Sequence, residues 1–331
     1  MKIGLLGSGS WSTALAQVLA DNGQEVILKG RNPLEVADIN ENHRNERFFP
    51  GVDIAPQIRA TLSYEDLLDS DILLMGVPVA QCRKVAAELV PLLDHPVIVI
   101  NVAKGFDPSS KSRLSEVLKE EFGDKASAVV SLIGPSHAEE VILRLLTTVN
   151  AVSEDLRAAQ KIQELFSNDY FRVYTNTDVR GAETAAALKN IYAIASGALT
   201  GLGQGDNARA ALMTRGLHEM ARYGLTFGGE MSTFLGMNGV GDLIVTCSSV
   251  HSRNYQAGLV IGRDDGAERF LKENTRTVEG ILTTATVHEL AKEKAISMPI
   301  ADAVYAVLYE GKRPSDVIAS LMTRPLKAEN L

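Results

Sequence analysis

Short apolar runs alternate with helical stretches through the first half of the chain, and this alternation restricts the fold more than any other feature. The strand-like runs cover residues 2–7, 25–30, 71–78, 96–105 and 127–136. Helical stretches lie between them at 11–22, 79–93 and 111–122. Strands that are apolar throughout and separated by helices are typical of a parallel sheet covered on both faces. The first half is therefore predicted to be an α/β domain.

The pattern changes after residue 178. Two more strand-like pieces, 147–153 and 171–176, come before this point. Long helical patterns follow it, at 178–199, 207–225, 281–294 and 300–310. Asn176 and Asp178 are suitable helix caps at the change. We predict a parallel-sheet domain at 1–178 and an all-helical domain at 179–331.

Composition limits the partners and the compartment. The net charge of −8 argues against a nucleic-acid or anionic-membrane partner. The two cysteines and six histidines show no metal-ligand spacing, so no metal site is expected. The apolar start at 3–6 is too short for a signal peptide, which predicts a cytoplasmic protein. The apolar run at 184–205 contains Lys189 and polar residues, and it is read as a buried helix without stable membrane insertion.

The first strand leads into the turn GSGSWS, which precedes a helix. Gly7 and Gly9 supply the first two glycines of the dinucleotide-binding fingerprint in the required strand–turn–helix context. Gly7 permits a tight turn, and Gly9 lets the backbone approach a pyrophosphate at the helix N-terminus. The third position is Ser12, a small residue in the place of glycine.

The end of the second strand reads LKGRNP and contains two cations, Lys29 and Arg31. Dinucleotide-binding domains often have a carboxylate here, which binds the ribose 2′-hydroxyl and repels a 2′-phosphate. Cations do the opposite. The sequence predicts that NADP is accepted and leaves open whether it is preferred over NAD. The alternative is that both cations lie in solvent.

One charge, Lys189, lies inside the apolar stretch TAAALKNIYAIASG. A buried ammonium is costly unless it is paired, and desolvation lowers its pKa. Lys189 is therefore a lysine that snorkels from a helix edge, a member of a structural ion pair, or a reactive amine.

Other segments combine polar groups with predicted strand or helix ends. Lys104 follows a strand and can polarise a carbonyl at the ligand edge of the sheet, or it is a loop lysine beside a glycine. In GPSHAEE, Gly134 allows close approach and Ser136 is a good N-cap. Arg253 in HSRNYQ can bind an oxyanion at a helix start, or it is a solvated arginine. Asp242 in GVGDL forms an Asx turn or accepts a hydrogen bond from a ligand or from Lys189.

Seven segments that span most of the chain carry a family resemblance: GSGSWSTALA, NVAKGF, GPSHAEEV, ALKNIYAIASG, NARAALMTRGL, GVGDLIVTCSSVHSRNYQAG and TVEG. In these segments and in their order, the chain resembles the bacterial-type NAD(P)-dependent glycerol-3-phosphate dehydrogenases. The resemblance implies a Rossmann-type domain followed by a helical domain. The chain departs from the family at Ser12 and at 142–148, where a Gly- and Pro-containing stretch is usual; we expect an altered loop near the cofactor site.

The resemblance also implies roles for individual residues. Lys189 is implied as the proton acceptor and Lys104 as a second catalytic cation, whereas His137 is expected to be structural. The implied substrate ligands are Lys104, Gly134, Ser136, Lys189, Asp242, Ser252, Arg253 and Asn254. The implied cofactor contacts are Gly7, Gly9, Ser10, Trp11, Arg31, Lys104, Ala138, Arg253, Thr277 and Glu279.

The activity expected from the resemblance is reversible oxidation of sn-glycerol 3-phosphate to dihydroxyacetone phosphate with NAD or NADP, for glycerophospholipid synthesis. No metal is required, and a homodimer is expected. Two alternatives stay open from the sequence. One is a related dehydrogenase of a hydroxy acid, which would not need the Ser252–Asn254 segment. The other is a cofactor-sensing regulator, which would not need Lys104 and a buried Lys189 together.

Overall fold

Residues 1–326, 328 and 329 are described by a computed structural model, and they form one sheet followed by a helical assembly. The strands in this part of the chain are β1 (Lys2–Leu6), β2 (Glu25–Lys29), β3 (Ile58–Thr61), β4 (Ile72–Met75), β5 (Val97–Asn101), β6 (Ala126–Ile133), β7 (Thr147–Val152) and β8 (Phe171–Asn176). They are ordered β3-β2-β1-β4-β5-β6-β7-β8. Neighbours are parallel except β6 and β7, which are antiparallel.

The α-helices of the same residues are α1 (Ser10–Asp21), α2 (Pro33–Ala37), α3 (Cys82–Leu89), α4 (Leu114–Phe122), α5 (Ala138–Val141), α6 (Leu156–Phe166), α7 (Val179–Gly201), α8 (Asp206–Thr226), α9 (Met231–Phe234), α10 (Asp242–Ser248), α11 (Arg253–Arg263), α12 (Glu268–Glu273), α13 (Glu279–Glu293), α14 (Pro299–Tyr309) and α15 (Pro314–Met322). Within the described ranges, no helix combines the length and hydropathy that a membrane span needs.

The predicted α/β class with a mostly parallel sheet is confirmed. Strands β1, β4 and β5 are buried on both faces because they are apolar without interruption. One apolar core lies between the sheet and α1 and α6, and a second lies between the sheet and α3 and α4. Strand β7 was predicted at 147–153, but its antiparallel direction was not, and the edge strand β3 was not predicted. Strand β3 has four residues and carries Arg59, so its apolar signal is weak.

Several predicted helix bounds were wrong. The stretch 79–93 contains only one α-helical segment, α3, between two 3₁₀ turns, and Pro91 lies in the second turn. Helix α4 begins at Leu114 rather than at residue 111, because Lys111 has a left-handed backbone with φ of 59°. Helix α15 was not predicted.

The long helix α7 is almost entirely buried and forms the centre of the helical part. Asp178 caps it as predicted, accepting a 2.8 Å hydrogen bond from the backbone of Gly181. Glycines on α7 and α11 let these two helices pack at backbone distance. A Cβ atom on Gly197 would lie 2.0 Å from the carbonyl oxygen of Tyr255, and one on Gly258 would lie 2.0 Å from that of Ile194. This contact places the start of α11 beside the middle of α7.

Candidate active site

The glycine turn between β1 and α1 has the shape that a pyrophosphate requires. Gly7 has φ of 113°, and a Cβ atom there would lie 2.6 Å from the carbonyl oxygen of Gly76, so only glycine fits. A Cβ atom on Gly9 would point into open space. Gly9 is also the N-cap of α1 and offers no side chain to the first-turn amides, which include those of Ser10 and Trp11. The open space and uncapped amides fit a dinucleotide phosphate.

Ser12 is accommodated by a glycine on the neighbouring strand end. Its hydroxyl donates a 3.3 Å hydrogen bond to the carbonyl oxygen of Gly76. A Cβ atom on Gly76 would lie 1.9 Å from that hydroxyl oxygen. The small residue that close helix–strand packing needs is thus supplied by Gly76, and the turn keeps its form.

Helix α2, which follows β2, carries a carboxylate that the sequence did not reveal. Glu35 is buried and accepts a 3.1 Å hydrogen bond from the hydroxyl of Ser8, inside the glycine turn. Its other oxygen is bound by Arg47. Lys29 is directed elsewhere, with its Nζ 4.2 Å from the ring centre of Tyr64. Of the two predicted cations, Arg31 is the exposed one.

Within the altered stretch 142–148, Arg144 contacts the end of α1 that is remote from the glycine turn. Arg144 has a left-handed backbone with φ of 58°, a conformation that glycine adopts without strain. Its guanidinium donates hydrogen bonds of 2.8 and 2.9 Å to Asp21. Asp21 is the last residue of α1, at the opposite end of this helix from Gly9.

Lys189 is buried in the middle of α7, with 5% of its surface exposed. Its Nζ lies 2.5 Å from Oδ1 of Asp242 and donates a 2.7 Å hydrogen bond to the hydroxyl of Thr246. Burial lowers the pKa of Lys189 to about 7; the charge of nearby Lys104 adds to this effect, and Asp242 opposes it. The prediction that Lys189 is buried is confirmed, and its amine is partly neutral near pH 7.

Lys104, at the end of the sheet, binds the same Asp242 carboxylate as Lys189. It follows β5, and its Nζ donates 2.9 Å hydrogen bonds to Oδ2 of Asp242 and to the carbonyl oxygen of Gly134. Burial alone would raise the pKa of Asp242, but the charges of Lys104 and Lys189 hold it below its usual value. Asp242 is thus an ionised carboxylate between two amines.

Asp242 is the first residue of α10 rather than part of a simple turn. Thr246 lies one helical turn further along α10, and its hydroxyl contacts both Lys189 and the carbonyl oxygen of Asp242. Thr246 was not identified from the sequence. The spacing of four residues from Asp242 is the signal that could have revealed it.

The GPSHAEE segment differs in one detail from its prediction. The N-cap of α5 is His137, not Ser136. The hydroxyl of Ser136 donates instead to the carbonyl oxygen of Gly134 at 3.1 Å, and the helix begins with the buried Ala138. Burial lowers the pKa of His137, helped by the charges of Lys189 and Lys104. The Nε2 atom of His137 lies 3.5 Å from the carbonyl oxygen of Val245 on α10.

The segment at the start of α11 combines one exposed cation with two buried polar residues. Ser252 caps the helix and accepts a 3.2 Å hydrogen bond from the backbone of Tyr255. Asn254 donates a 3.0 Å hydrogen bond to Asn190 and accepts a 2.9 Å one from the backbone of Gly280. Arg253 is exposed.

Asn190 was missed in the sequence, although it adjoins Lys189. Its amide also lies 3.4 Å from the carbonyl oxygen of Lys104, and so links α7 to the sheet edge.

The TVEG segment closes against the loop that follows β4. Glu279 is the first residue of α13, and its Oε1 lies 3.4 Å from the backbone nitrogen of Val79. Burial raises the pKa of Glu279, although the Val79 amide and the charge of Arg253 oppose the rise. Thr277 is exposed at the start of this segment. The segment therefore joins the helical part to the ligand edge of the sheet.

Two family models cover most of this chain. Residues 2–159 match the N-terminus of NAD-dependent glycerol-3-phosphate dehydrogenase, and residues 178–319 match its C-terminus. The chain belongs to the NAD-dependent glycerol-3-phosphate dehydrogenase family.

Relatives and solved structures agree with this membership. The chain is 47% identical to glycerol-3-phosphate dehydrogenase [NAD(P)+] of Streptococcus agalactiae, over 99% of this chain and 98% of the relative. It is also 47% identical to the protein of that name from Bacillus cereus, over 99% and 97% of the two chains. The crystal structure of glycerol-3-phosphate dehydrogenase from Coxiella burnetii superposes with a TM-score of 0.91 at 34% identity, covering 98% of this chain and 99% of that one.

The structure links several of the predicted site residues by hydrogen bonds at one edge of the sheet. Lys104, Gly134, Lys189 and Asp242 are linked by direct hydrogen bonds. Asn254 joins them through Asn190, whereas Arg253 and Arg31 are exposed. Most of the predicted site residues lie on α7, α10 and α11 of the helical part and on the loops that follow β1, β5 and β6 of the sheet.

Proposed function

We propose that this chain catalyses the reversible oxidation of sn-glycerol 3-phosphate to dihydroxyacetone phosphate with NAD or NADP. The observation that carries the proposal is Lys189, a buried amine with a pKa of about 7 that is held by Asp242 and Thr246. An acid–base group with a pKa near the working pH is efficient in proton transfer.

The two amines have different tasks. In the oxidation, neutral Nζ of Lys189 accepts the proton of the C2 hydroxyl. Lys104 is less buried and carries the charge that stabilises the developing alkoxide. Asp242 keeps both nitrogens in position.

The turn formed by Gly7, Gly9, Ser10 and Trp11 is the proposed holder of the cofactor. NAD or NADP held there would supply a hydride acceptor for C2, and Lys189 would take the hydroxyl proton, so that a ketone is left. Glu279, the first residue of α13, contacts the loop after β4, and Thr277 lies just before this helix. With Ala138, they complete the proposed cofactor contacts.

Arg253 is the proposed phosphate ligand. It is a guanidinium at the first position of an 11-residue helix, so it adds to the positive end of the helix dipole. Ser252 and Asn254 flank it, and Ser136 and Gly134 complete the proposed substrate set.

We propose further that NADP is accepted through Arg31 at the end of β2. The buried Glu35 does not oppose this, because Ser8 and Arg47 already bind its two oxygens. We also propose a domain boundary at residue 178, between the end of β8 and the start of α7.

A role in glycerophospholipid synthesis, a cytoplasmic location and a homodimeric state are likewise proposals. The free and buried Cys82 and Cys247 suit a reducing compartment.

The decisive experiment follows reduced cofactor at 340 nm with dihydroxyacetone phosphate. We expect turnover with the phosphorylated ketone and with either NADPH or NADH. Unphosphorylated dihydroxyacetone and a panel of 2-keto acids serve as comparison substrates. Preferential turnover of a keto acid, or cofactor binding without any turnover, contradicts the proposed function.

A further inference from the structure

A second buried carboxylate, Glu183, lies on α7 outside the site described above. It is 5% exposed. It accepts 2.6 Å hydrogen bonds from the hydroxyls of Ser131 and Ser115, and a 3.1 Å bond from the backbone of Ser115. The side-chain amide of Asn101 donates to it at 3.2 Å, and the guanidinium of Arg113 lies 3.8 Å away. Its partners come from β5, β6 and α4.

Two of these partners precede residues of the candidate site by three positions in the chain. Asn101 is the last residue of β5, three positions before Lys104. Its side-chain oxygen accepts a 3.1 Å hydrogen bond from the backbone of Ala103, so it also shapes the loop that carries Lys104. Ser131 lies in β6, three positions before Gly134. Glu183 therefore touches both strands whose ends hold the Lys104 ammonium.

The third connection runs along α7 itself. Glu183 precedes Lys189 by six residues, which is about 9 Å along a rigid helix. Any movement of the strand ends relative to Glu183 changes the distance between Lys104 and Lys189. These two amines must stay close, because both bind Asp242.

The chemistry of the cluster suits positioning. An ionised carboxylate without water is costly, and burial raises the pKa of Glu183. The hydrogen bonds from the two serines and the charge of Arg113 counteract this rise. Apolar side chains would join the same elements without the desolvation cost, but apolar contacts are not directional as hydrogen bonds are. Hydrogen bonds to two strands and one helix set a single relative position.

We propose that Glu183 is a positioning residue, which holds the ends of β5 and β6 against α7 so that Lys104, bound to the carbonyl oxygen of Gly134, meets Asp242 beside Lys189. This inference rests on the proposed function of Lys189 as the proton acceptor.

The test compares Glu183→Gln with the wild-type chain and with Lys104→Gln, in pH profiles of kcat/KM for oxidation of sn-glycerol 3-phosphate. Glutamine keeps the size of the side chain but cannot accept hydrogen bonds at its nitrogen. We expect kcat/KM to fall on the order of 10-fold to 100-fold. The pH inflection should also move upwards, as in Lys104→Gln, because the Lys104 charge is no longer held near Lys189.

The double variant Glu183→Gln/Lys104→Gln separates a positioning role from a purely structural one. If Glu183 acts through Lys104, kcat/KM of the double variant should be less than threefold below that of Lys104→Gln alone. If the loss of kcat/KM in the double variant equals the product of the losses in the two single variants, the proposal is wrong.

Glu219→Gln is the matched control. Glu219 is also buried, and it accepts hydrogen bonds of 2.7 and 3.3 Å from the backbones of Ile300 and Ala301 at the start of α14, a helix that carries no residue of the candidate site. We expect a lower melting temperature but an unchanged pH inflection. If Glu183→Gln behaves in the same way, the proposal is wrong.

Ser131→Ala removes one donor to Glu183 and serves if Glu183→Gln does not fold. It should move the inflection in the same direction, and an unchanged profile in this variant also overturns the proposal. Absence of turnover in the wild-type chain would instead contradict the proposed function, so the two failures are distinguishable.

Discussion

Lys189 and Lys104 bind opposite oxygens of one buried carboxylate, that of Asp242. One amine comes from the centre of a helix and the other from a loop at the sheet edge. The shared carboxylate offsets part of the mutual repulsion, and burial still leaves Lys189 with a pKa of about 7. This relationship makes the proposed chemistry open to test.

Replacement of Lys189 should abolish most of the turnover. We expect Lys189→Met to lower kcat about 10²-fold to 10⁴-fold, the usual range for loss of a general acid–base group. Lys189→Arg should be similarly inactive, because a guanidinium does not release its proton. Steady-state kinetics measure the loss, and cofactor fluorescence titration checks that NADPH still binds. Near-normal kcat in Lys189→Met contradicts the assignment.

The pH dependence should report Lys189 directly. In alcohol oxidation the amine must be neutral, so kcat/KM rises with pH through an inflection at about 7. Asp242 favours the charged amine, so Asp242→Asn should move the inflection to lower pH. Lys104 disfavours the charged form of the Lys189 amine, so Lys104→Gln should move the inflection to higher pH. Shifts in the same direction for both variants would refute the electrostatic account.

Arg253→Ala should affect phosphate recognition selectively. Hydrogen bonds to a charged group contribute about 1.5–3 kcal/mol, which corresponds to a rise in KM for dihydroxyacetone phosphate of about tenfold to a hundredfold. Turnover of unphosphorylated dihydroxyacetone should change little. Arg263→Ala, at the exposed far end of the same helix, is the control and should keep the wild-type KM. Equal losses with both ketones argue against a phosphate contact.

Arg31→Gln should weaken NADPH more than NADH. Loss of a charge-assisted contact to the 2′-phosphate is expected to raise KM for NADPH about tenfold, with KM for NADH unchanged. Arg59→Gln is a suitable control, because this exposed arginine lies within the adjacent strand β3 and not at its end. Equal changes in KM for NADPH and NADH would show that Arg31 does not contact the 2′-phosphate.

Gly258→Ala should separate α11 from α7. The added Cβ atom would lie 2.0 Å from a backbone oxygen, and overpacking of this kind costs about 1–3 kcal/mol of unfolding free energy. We expect a lower melting temperature and a higher KM for the substrate, because α11 carries Arg253. Gly266→Ala, whose Cβ atom would have its nearest neighbour 3.9 Å away, should leave both unchanged. A Gly258→Ala variant with wild-type stability contradicts the close packing of the two helices.

Local patterns in the chain were sufficient for the class of fold and for several site residues. Uninterrupted apolar strands predicted the buried sheet, and the positive φ at Gly7 follows from the turn that GSGSWS predicts. The burial of Lys189 could also be predicted, because most of its neighbours on α7 are apolar. These features depend on a few consecutive residues, which is why one-dimensional reasoning reached them.

Features that depend on distant segments were decided only by the tertiary structure. Asn190 and Glu35 have no local signal for a functional contact, because their partners lie on other elements. Thr246 has a local spacing to Asp242, but its contact with Lys189 comes from another helix. The same holds for Glu183, whose partners come from two strands and another helix. The sequence by itself determined where an amine would be deprived of water. The packing of α7 against the sheet and α10 decided which charges surround that amine, because electrostatic interactions depend on distance in space and not along the chain.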